Sequence, residues 1–228
     1  MTLKEFQTLL AIKGINCGDE EASLLESYMF YILDKNEKVN LTAITDKNEF
    51  MSKMLFDSAR PLLLTNFNDK KVLDVGTGAG FPGIVINLLS TADVSLLDST
   101  KKKLTVIDGF KNKFFHTVNA RAEEYAKTHR DEYDIVIARA VSDLSILLEL
   151  CAPLTKVGGN IVAMKGPEAY NELEKAKNAM KKLGVSVAKV DENILPTGDT
   201  RVNILFKKDI PTPKRYPRDY KEIKAKPL

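Results

Sequence analysis

Between residues 71 and 83 the chain reads KVLDVGTGAGFPG, and no other stretch restricts the fold so tightly. Lys71–Val75 is a short apolar run of the kind that forms a strand buried on both faces. It runs directly into Gly76, Gly78 and Gly80, three glycines at every second position. Glycine tolerates positive φ and lets a ligand approach the backbone closely, so the strand must end in a tight, accessible turn. Pro82 suits the first position of a following helix, where its missing N–H costs nothing. The free N–H groups of that helix start then face whatever lies above the carboxyl edge of the sheet.

The pattern downstream extends this unit. DVSLLD (93–98), FFHTVN (114–119), YDIVIAR (133–139) and GNIVAMKG (159–166) read as four further strands. Helical segments are expected from about Thr100, at Asp143–Leu150 and from about Glu168 to Leu183. VSVAKVD (185–191) and RVNILFK (201–207) follow with only about nine residues between them, including Pro196 and Gly198. No crossover helix fits that gap, so these two strands should pair antiparallel. The sum is an α/β chain with a mostly parallel, doubly wound, seven-stranded sheet ending in an antiparallel hairpin.

Residues 1–70 lack this alternation. Leu24, Leu25, Tyr28, Met29, Ile32 and Leu33 form a helical stripe, Leu3, Phe6 and Leu10 a shorter one stopped by Gly14, and a third helix is expected over Glu49–Leu64, burying Phe50, Met54 and Leu55. We therefore divide the chain into an N-terminal helical extension (1–70), a central α/β domain (71–208) and a basic tail (209–228). Residues 1–70 hold eight Lys/Arg against eleven Asp/Glu, whereas 208–228 hold seven against three. That tail interleaves Pro, Tyr and Lys/Arg without periodicity. It reads either as an extended arm that tracks phosphates, with Tyr216 and Tyr220 free to stack on bases, or as a solvated terminus.

Composition removes several chemistries. Cys17 and Cys151 stand alone, outside any CxxC, and His116 and His129 are the only histidines, which argues against a disulfide framework, a metal centre and a histidine-based triad. No apolar run approaches the roughly 18 residues that span a bilayer. Lys4, Glu5 and Lys13 interrupt any signal-peptide core. A cytoplasmic monomer is the expectation.

Two cofactors compete for the glycine turn. Gly78-x-Gly80-x-x-Gly83 meets the dinucleotide fingerprint, with Asp98 roughly twenty residues further on. Asp74, Gly76, Gly78 and Gly80 equally meet the D-x-G-x-G-x-G turn that binds S-adenosylmethionine. Asp98 does not discriminate, because an acid closing the second strand binds ribose hydroxyls in both. The C-terminal hairpin does, since it belongs to class I methyltransferases and not to a second mononucleotide-binding half. An NAD-dependent oxidoreductase and a non-catalytic rRNA-binding assembly factor are the alternatives.

The run Asp74–Gly83 with its Phe-Pro-Gly ending resembles the bacterial 16S rRNA guanine-N7 methyltransferases of the RsmG/GidB family. So do Asn40-Leu41-Thr42, Asp57-Ser58, Leu97-Asp98-Ser99 with Lys101-Lys102, Arg121-Ala122-Glu123, Ala138-Arg139-Ala140, Lys165-Gly166 and the tail TPKRYPR (212–218). The likeness covers nearly the whole chain. It departs at Lys35, where the family often has Trp, and at Met54, where it often has His. The resemblance implies a Rossmann-like class I S-adenosylmethionine-dependent methyltransferase fold, S-adenosylmethionine as cofactor, and 16S rRNA or the small ribosomal subunit as partner. It places Gly76, Gly78, Phe81, Asp98, Ala122, Glu123 and Arg139 around the cofactor, Arg139 also being the substrate-facing candidate. Arg121 and Lys165 are expected at the same cleft.

Overall fold

The structure, a computed structural model, describes residues 1–110 and 115–228. Helix α1 (Leu3–Ile12) begins at a capping box in which Thr2 and Glu5 satisfy each other's backbone N–H. Helix α2 (Asp19–Asn36) carries Asp19, Glu20 and Glu21 in its first turn and Lys35 in its last, charges that complement the helix dipole. Its predicted stripe is the packing face, with Leu25, Tyr28, Met29 and Ile32 buried. The third helical stretch is less regular than its apolar spacing predicts. It runs as α3 (Lys47–Phe50), a π-helical turn (Met51–Phe56), α4 (Asp57–Ala59) and a 3-10 turn (Arg60–Leu63).

Seven strands follow: β1 (Lys71–Val75), β2 (Asp93–Asp98), β3 (His116–Asn119), β4 (Tyr133–Arg139), β5 (Thr155–Lys165), β6 (Val185–Ile194) and β7 (Thr200–Lys208). The predicted start of the third strand at Phe114 lies outside the described residues. Helices α5 (Gly83–Leu88), α6 (Lys101–Asp108), α7 (Ala122–Tyr125), α8 (Leu144–Cys151), α9 (Ala169–Lys175) and α10 (Lys177–Leu183) connect them. The single charged helix expected from Glu168 is thus two, separated at Ala176. The strands lie in the order β3-β2-β1-β4-β5-β7-β6. All pairs are parallel except those of β7, which runs antiparallel to both β5 and β6. The strand order reverses between β1 and β4, and the crevice above such a reversal is where open α/β sheets bind ligands.

One core lies on each face of the sheet. The N-terminal helices share theirs with β1, β2 and α5, and the contact centres on the glycine turn. The Tyr28 ring packs edge-on against Phe81 at 5.6 Å, Phe50 does the same at 5.5 Å, and the buried Tyr28 hydroxyl donates to the Ala79 carbonyl at 2.9 Å. Such a hydrogen bond spares the turn a buried unpaired carbonyl.

The C-terminal tail is neither an extended arm nor a solvated terminus. Its apolar residues pay the entropy of ordering by packing on α8: Tyr216 is 4% exposed and Ile223 is fully buried, so Tyr216 is not free to stack on bases. Arg130 donates to the carbonyls of Thr212 (2.8 Å) and Tyr216 (2.6 Å). Arg218 grips the wholly buried Glu149 of α8 with Nε (2.8 Å) and Nη2 (2.7 Å), and its backbone N–H adds a third bond at 3.0 Å. The segment ends in a short helix, α11 (Tyr220–Ala225). The mixture of prolines and charges hid this from periodicity, because the segment is held by single anchors and not by one continuous face. Removing Arg218 strands a buried carboxylate, which typically costs several kcal/mol. Arg218→Ala is expected to lose about 3 kcal/mol in urea unfolding, and a loss below about 1 kcal/mol would show that the anchor is dispensable.

Candidate active site

The turn after β1 is closed by Asp74. Its Oδ2 accepts from the Thr77 hydroxyl at 2.6 Å and from the Gly83 N–H at 2.8 Å. A Cβ on Gly83 would come within 2.2 Å of Leu96 Cδ2 and 2.9 Å of Asp74 Oδ2, so any side chain here would have to displace both. Gly76 has φ +72°, and a Cβ there would meet Val141 at 2.9 Å. Gly78 donates its N–H to Asp98 Oδ2 at 3.0 Å, and the Thr100 N–H reaches Asp98 Oδ1 at 2.7 Å. The Asp98 carboxylate is thereby fixed between two loops with lone pairs to spare.

A cavity opens above this turn at the strand-order reversal. Gly76, Asp98, Ala122, Glu123, Val141 and Tyr220 line it, and Arg121 stands at its rim. Four of the seven cofactor-site residues expected from sequence, Gly76, Asp98, Ala122 and Glu123, therefore meet in one place. Gly78 sits behind Asp98. Glu123 is almost wholly buried, with Arg121 Nη1 at 3.8 Å as its ion-pair partner. Val141 was not anticipated, and Tyr220 was expected to stack on bases and not to line this cavity. Val141 follows Ala140, whose φ of +53° turns the chain over the end of β4, and no local composition signals that bend.

Phe81 and Arg139 do not line the cavity. The Phe81 side chain is buried beneath the turn, and the Arg139 guanidinium lies 5.8 Å above its ring. Arg139 points toward the N-terminal helices, donating to the Lys53 carbonyl (3.1 Å), to Ser58 Oγ (3.5 Å) and to Met54 Sδ (3.3 Å). These acceptors belong to the π-helical turn and α4, so the irregular backbone supplies the contacts. Burial works against the Arg139 charge and lowers its pKa, while the Asp57 and Asp74 carboxylates favour it. Asp57 is buried as well. Its desolvation raises the pKa against the pull of Arg139, Arg201 and Arg60. Lys165 does not reach into the cleft, because its Nζ binds the Ser142 carbonyl (2.6 Å) and Glu172 (2.7 Å), tying down the loop that carries Val141. Among the described residues no three metal-ligating side chains come together.

The chain matches the family model for rRNA small subunit methyltransferase G over residues 21–197. Proteins called ribosomal RNA small subunit methyltransferase G resemble it along their whole length. The one from Streptococcus gordonii is 38% identical with 100% of both chains covered, and that from Lactobacillus johnsonii is 41% identical with 98% of each covered. The chain belongs to this family. Among solved structures, a ribosomal protein L11 methylase from Lactobacillus delbrueckii subsp. bulgaricus superposes with a TM-score of 0.53 at 13% identity, covering 69% of this chain and 79% of that one. A Listeria monocytogenes protein described as an S-adenosylmethionine dependent methyltransferase gives 0.53 at 14%, covering 68% and 99%. This family member is a methyltransferase, and it shares the fold of those two solved structures. The cavity suits an adenosyl group. It offers a fixed carboxylate for a vicinal diol at Asp98, a second buried carboxylate at Glu123, and a glycine with no side chain to obstruct approach at Gly76.

Burial pushes the Asp74 carboxyl up to about 6, even though Thr77 and Gly83 donate to it. Its folded value stands above the ordinary Asp value, so the stability contributed by this group is whole below about pH 4 and is lost as the pH rises through about 6. Asp74→Asn removes that dependence. Without cofactor, the variant is expected to gain up to ~3 kcal/mol on the wild type between pH 4 and pH 7 in urea midpoints. Parallel profiles would mean that Asp74 titrates normally.

Proposed function

We propose that this chain transfers the methyl group of S-adenosylmethionine to N7 of a guanosine in 16S rRNA, with the small ribosomal subunit as its partner. The observation that carries the reading is the cavity at the strand-order reversal, where Gly76, Asp98 and Glu123 converge in a chain of this family. S-adenosylmethionine supplies an electrophilic methyl group on a sulfonium centre. Asp98 accepts from the ribose hydroxyls, Ala122 and Glu123 border the adenine, and Gly76 admits the methionine portion. Phe81 and Arg139 act together from below and beside the turn. The ring supports Gly80 and Pro82, and the guanidinium holds the π-helical turn against the substrate side of the cleft.

The chemistry asks little more of the side chains. Guanine N7 carries a free lone pair at neutral pH, so its attack on the methyl needs no general base. Alignment of nucleophile, methyl and leaving sulfur supplies much of the barrier reduction. This accounts for a cleft without histidine. N7 lies on the major-groove edge, which is deep and narrow in A-form RNA, so the target guanosine must be unpaired or splayed out. The formal charge of only +3 is small for gripping naked RNA and favours a folded particle as substrate. Among the described residues no helix is long and apolar enough to cross a membrane. We place the protein in the cytoplasm as a monomer.

The test is transfer of labelled methyl from S-adenosylmethionine to small subunits lacking the modification, followed by nucleoside digestion. Label is expected in 7-methylguanosine alone, and label in any other nucleoside would overturn the atom assignment. Gly76→Asp forces a side chain into Val141 and the cavity, and is expected to abolish both cofactor binding and transfer in a folded protein.

A further inference from the structure

We infer that the C-terminal segment completes the cofactor site, with Tyr220 as the residue that packs against the adenosine end of S-adenosylmethionine. This deepens the site reading above and rests on it. The cavity that holds Asp98, Ala122 and Glu123 is walled on its open side by Tyr220, which comes from α11 and not from the sheet. The Arg121 guanidinium lies over the Tyr220 ring, 5.6 Å from its centre, so it covers one face of the ring and the pair forms a layered flat surface at the cavity mouth. A purine is a flat, polarisable ring that stacks on such surfaces. Arg121 also neighbours Glu123, so one charged side chain joins the carboxylate within the cavity to the ring at its mouth.

The tail is built to hold this ring in place. Two residues before Tyr220, Arg218 is locked onto Glu149 by three hydrogen bonds, and three residues after it Ile223 is fully buried. Upstream, Arg130 clamps the carbonyls of Thr212 and Tyr216, and Thr212 Oγ1 donates to the Leu183 carbonyl at 3.1 Å. Tyr220 itself is only half-buried and makes no hydrogen bond with its hydroxyl among those described. A large aromatic ring held rigidly at a cavity mouth, partly open and with its polar end uncommitted, has the geometry of a ligand-facing wall. A core residue would be closed off on all sides.

The test is calorimetric binding of S-adenosylmethionine and of 5′-methylthioadenosine, which keeps the adenosine and lacks the amino-acid portion. Wild type, Tyr220→Ala, Tyr220→Phe and Asp98→Ala are compared, each first checked for an unchanged unfolding midpoint without ligand. Tyr220→Ala is expected to weaken both ligands by the same factor, about ten-fold or more, while Tyr220→Phe stays within about two-fold of wild type because the ring face is what binds. A purely structural tail would not give equal factors on the two ligands or recovery with Phe. If Asp98→Ala loses affinity and Tyr220→Ala does not, the inference falls and the cofactor site stands. If neither variant changes affinity, the site reading falls with it. A Tyr220→Ala variant that binds S-adenosylmethionine normally but releases small subunits would assign the ring to RNA and overturn the inference.

Discussion

A single buried carboxylate organises the ligand side of this molecule. Asp74, next to last in β1, faces inward, and one oxygen takes both the Thr77 hydroxyl and the first N–H of the following helix. The turn between them is thereby pulled tight enough that Gly83 lies against Leu96 and the glycines above it adopt positive φ. The other oxygen is buried without a partner. Such a group is costly, and its cost is offset only because Thr77 and Gly83 are satisfied by it and because the turn it shapes carries Gly78 to Asp98. Loosening Asp74 would disturb Asp98 through the backbone, although the two side chains share no direct contact.

The side facing the N-terminal helices is organised differently. Here the N-terminal helices meet the end of β4, and Arg139 bridges them by binding the Lys53 carbonyl, Ser58 and Met54. Asp57, Arg201, Arg60 and Asp191 surround this contact in a largely buried ionic cluster. Each charge in it is tolerable only with the others present. The cluster ties the N-terminal helices to the ends of β4, β6 and β7. Asn36 has a comparable part nearby: its side-chain oxygen accepts from the N–H groups of Leu41 and Thr42, which holds the loop after α2.

Much of this was legible in the residues. Strands with an uninterrupted apolar run, such as KVLDV, DVSLLD and YDIVIAR, fall where the pattern puts them, because burial on both faces leaves no other reading. The short gap between the last two strands forced their antiparallel pairing. Gly76, Asp98, Ala122 and Glu123 meet because each closes or follows a parallel strand, a rule that needs no coordinates. What stayed hidden depends on contacts distant in sequence. The π-helical turn looks like an ordinary helix by its apolar spacing, and only its packing against Arg139 gives it a purpose. Arg139 sits at the expected strand end, but its direction is decided by acceptors more than eighty residues away. The tail was misread because prolines and lysines suggest solvation, whereas its structure hangs on one buried glutamate in α8.

The place of β7 has a consequence for how the chain is made. This strand lies between β5 and β6, yet it is synthesised after both. Until residues 200–208 emerge, β5 has an open antiparallel edge and β6 has no partner, since among the described residues it pairs with β7 alone. The half-finished sheet therefore presents an unpaired edge of Ile161, Ala163 and their neighbours to the surroundings for as long as translation takes to reach the end. A ribosome that stalls before codon 200 would release a chain with the glycine turn in place and an exposed, adhesive flank. Closure of the sheet is thus decided by residues 200–208, the last of the seven strands to be made.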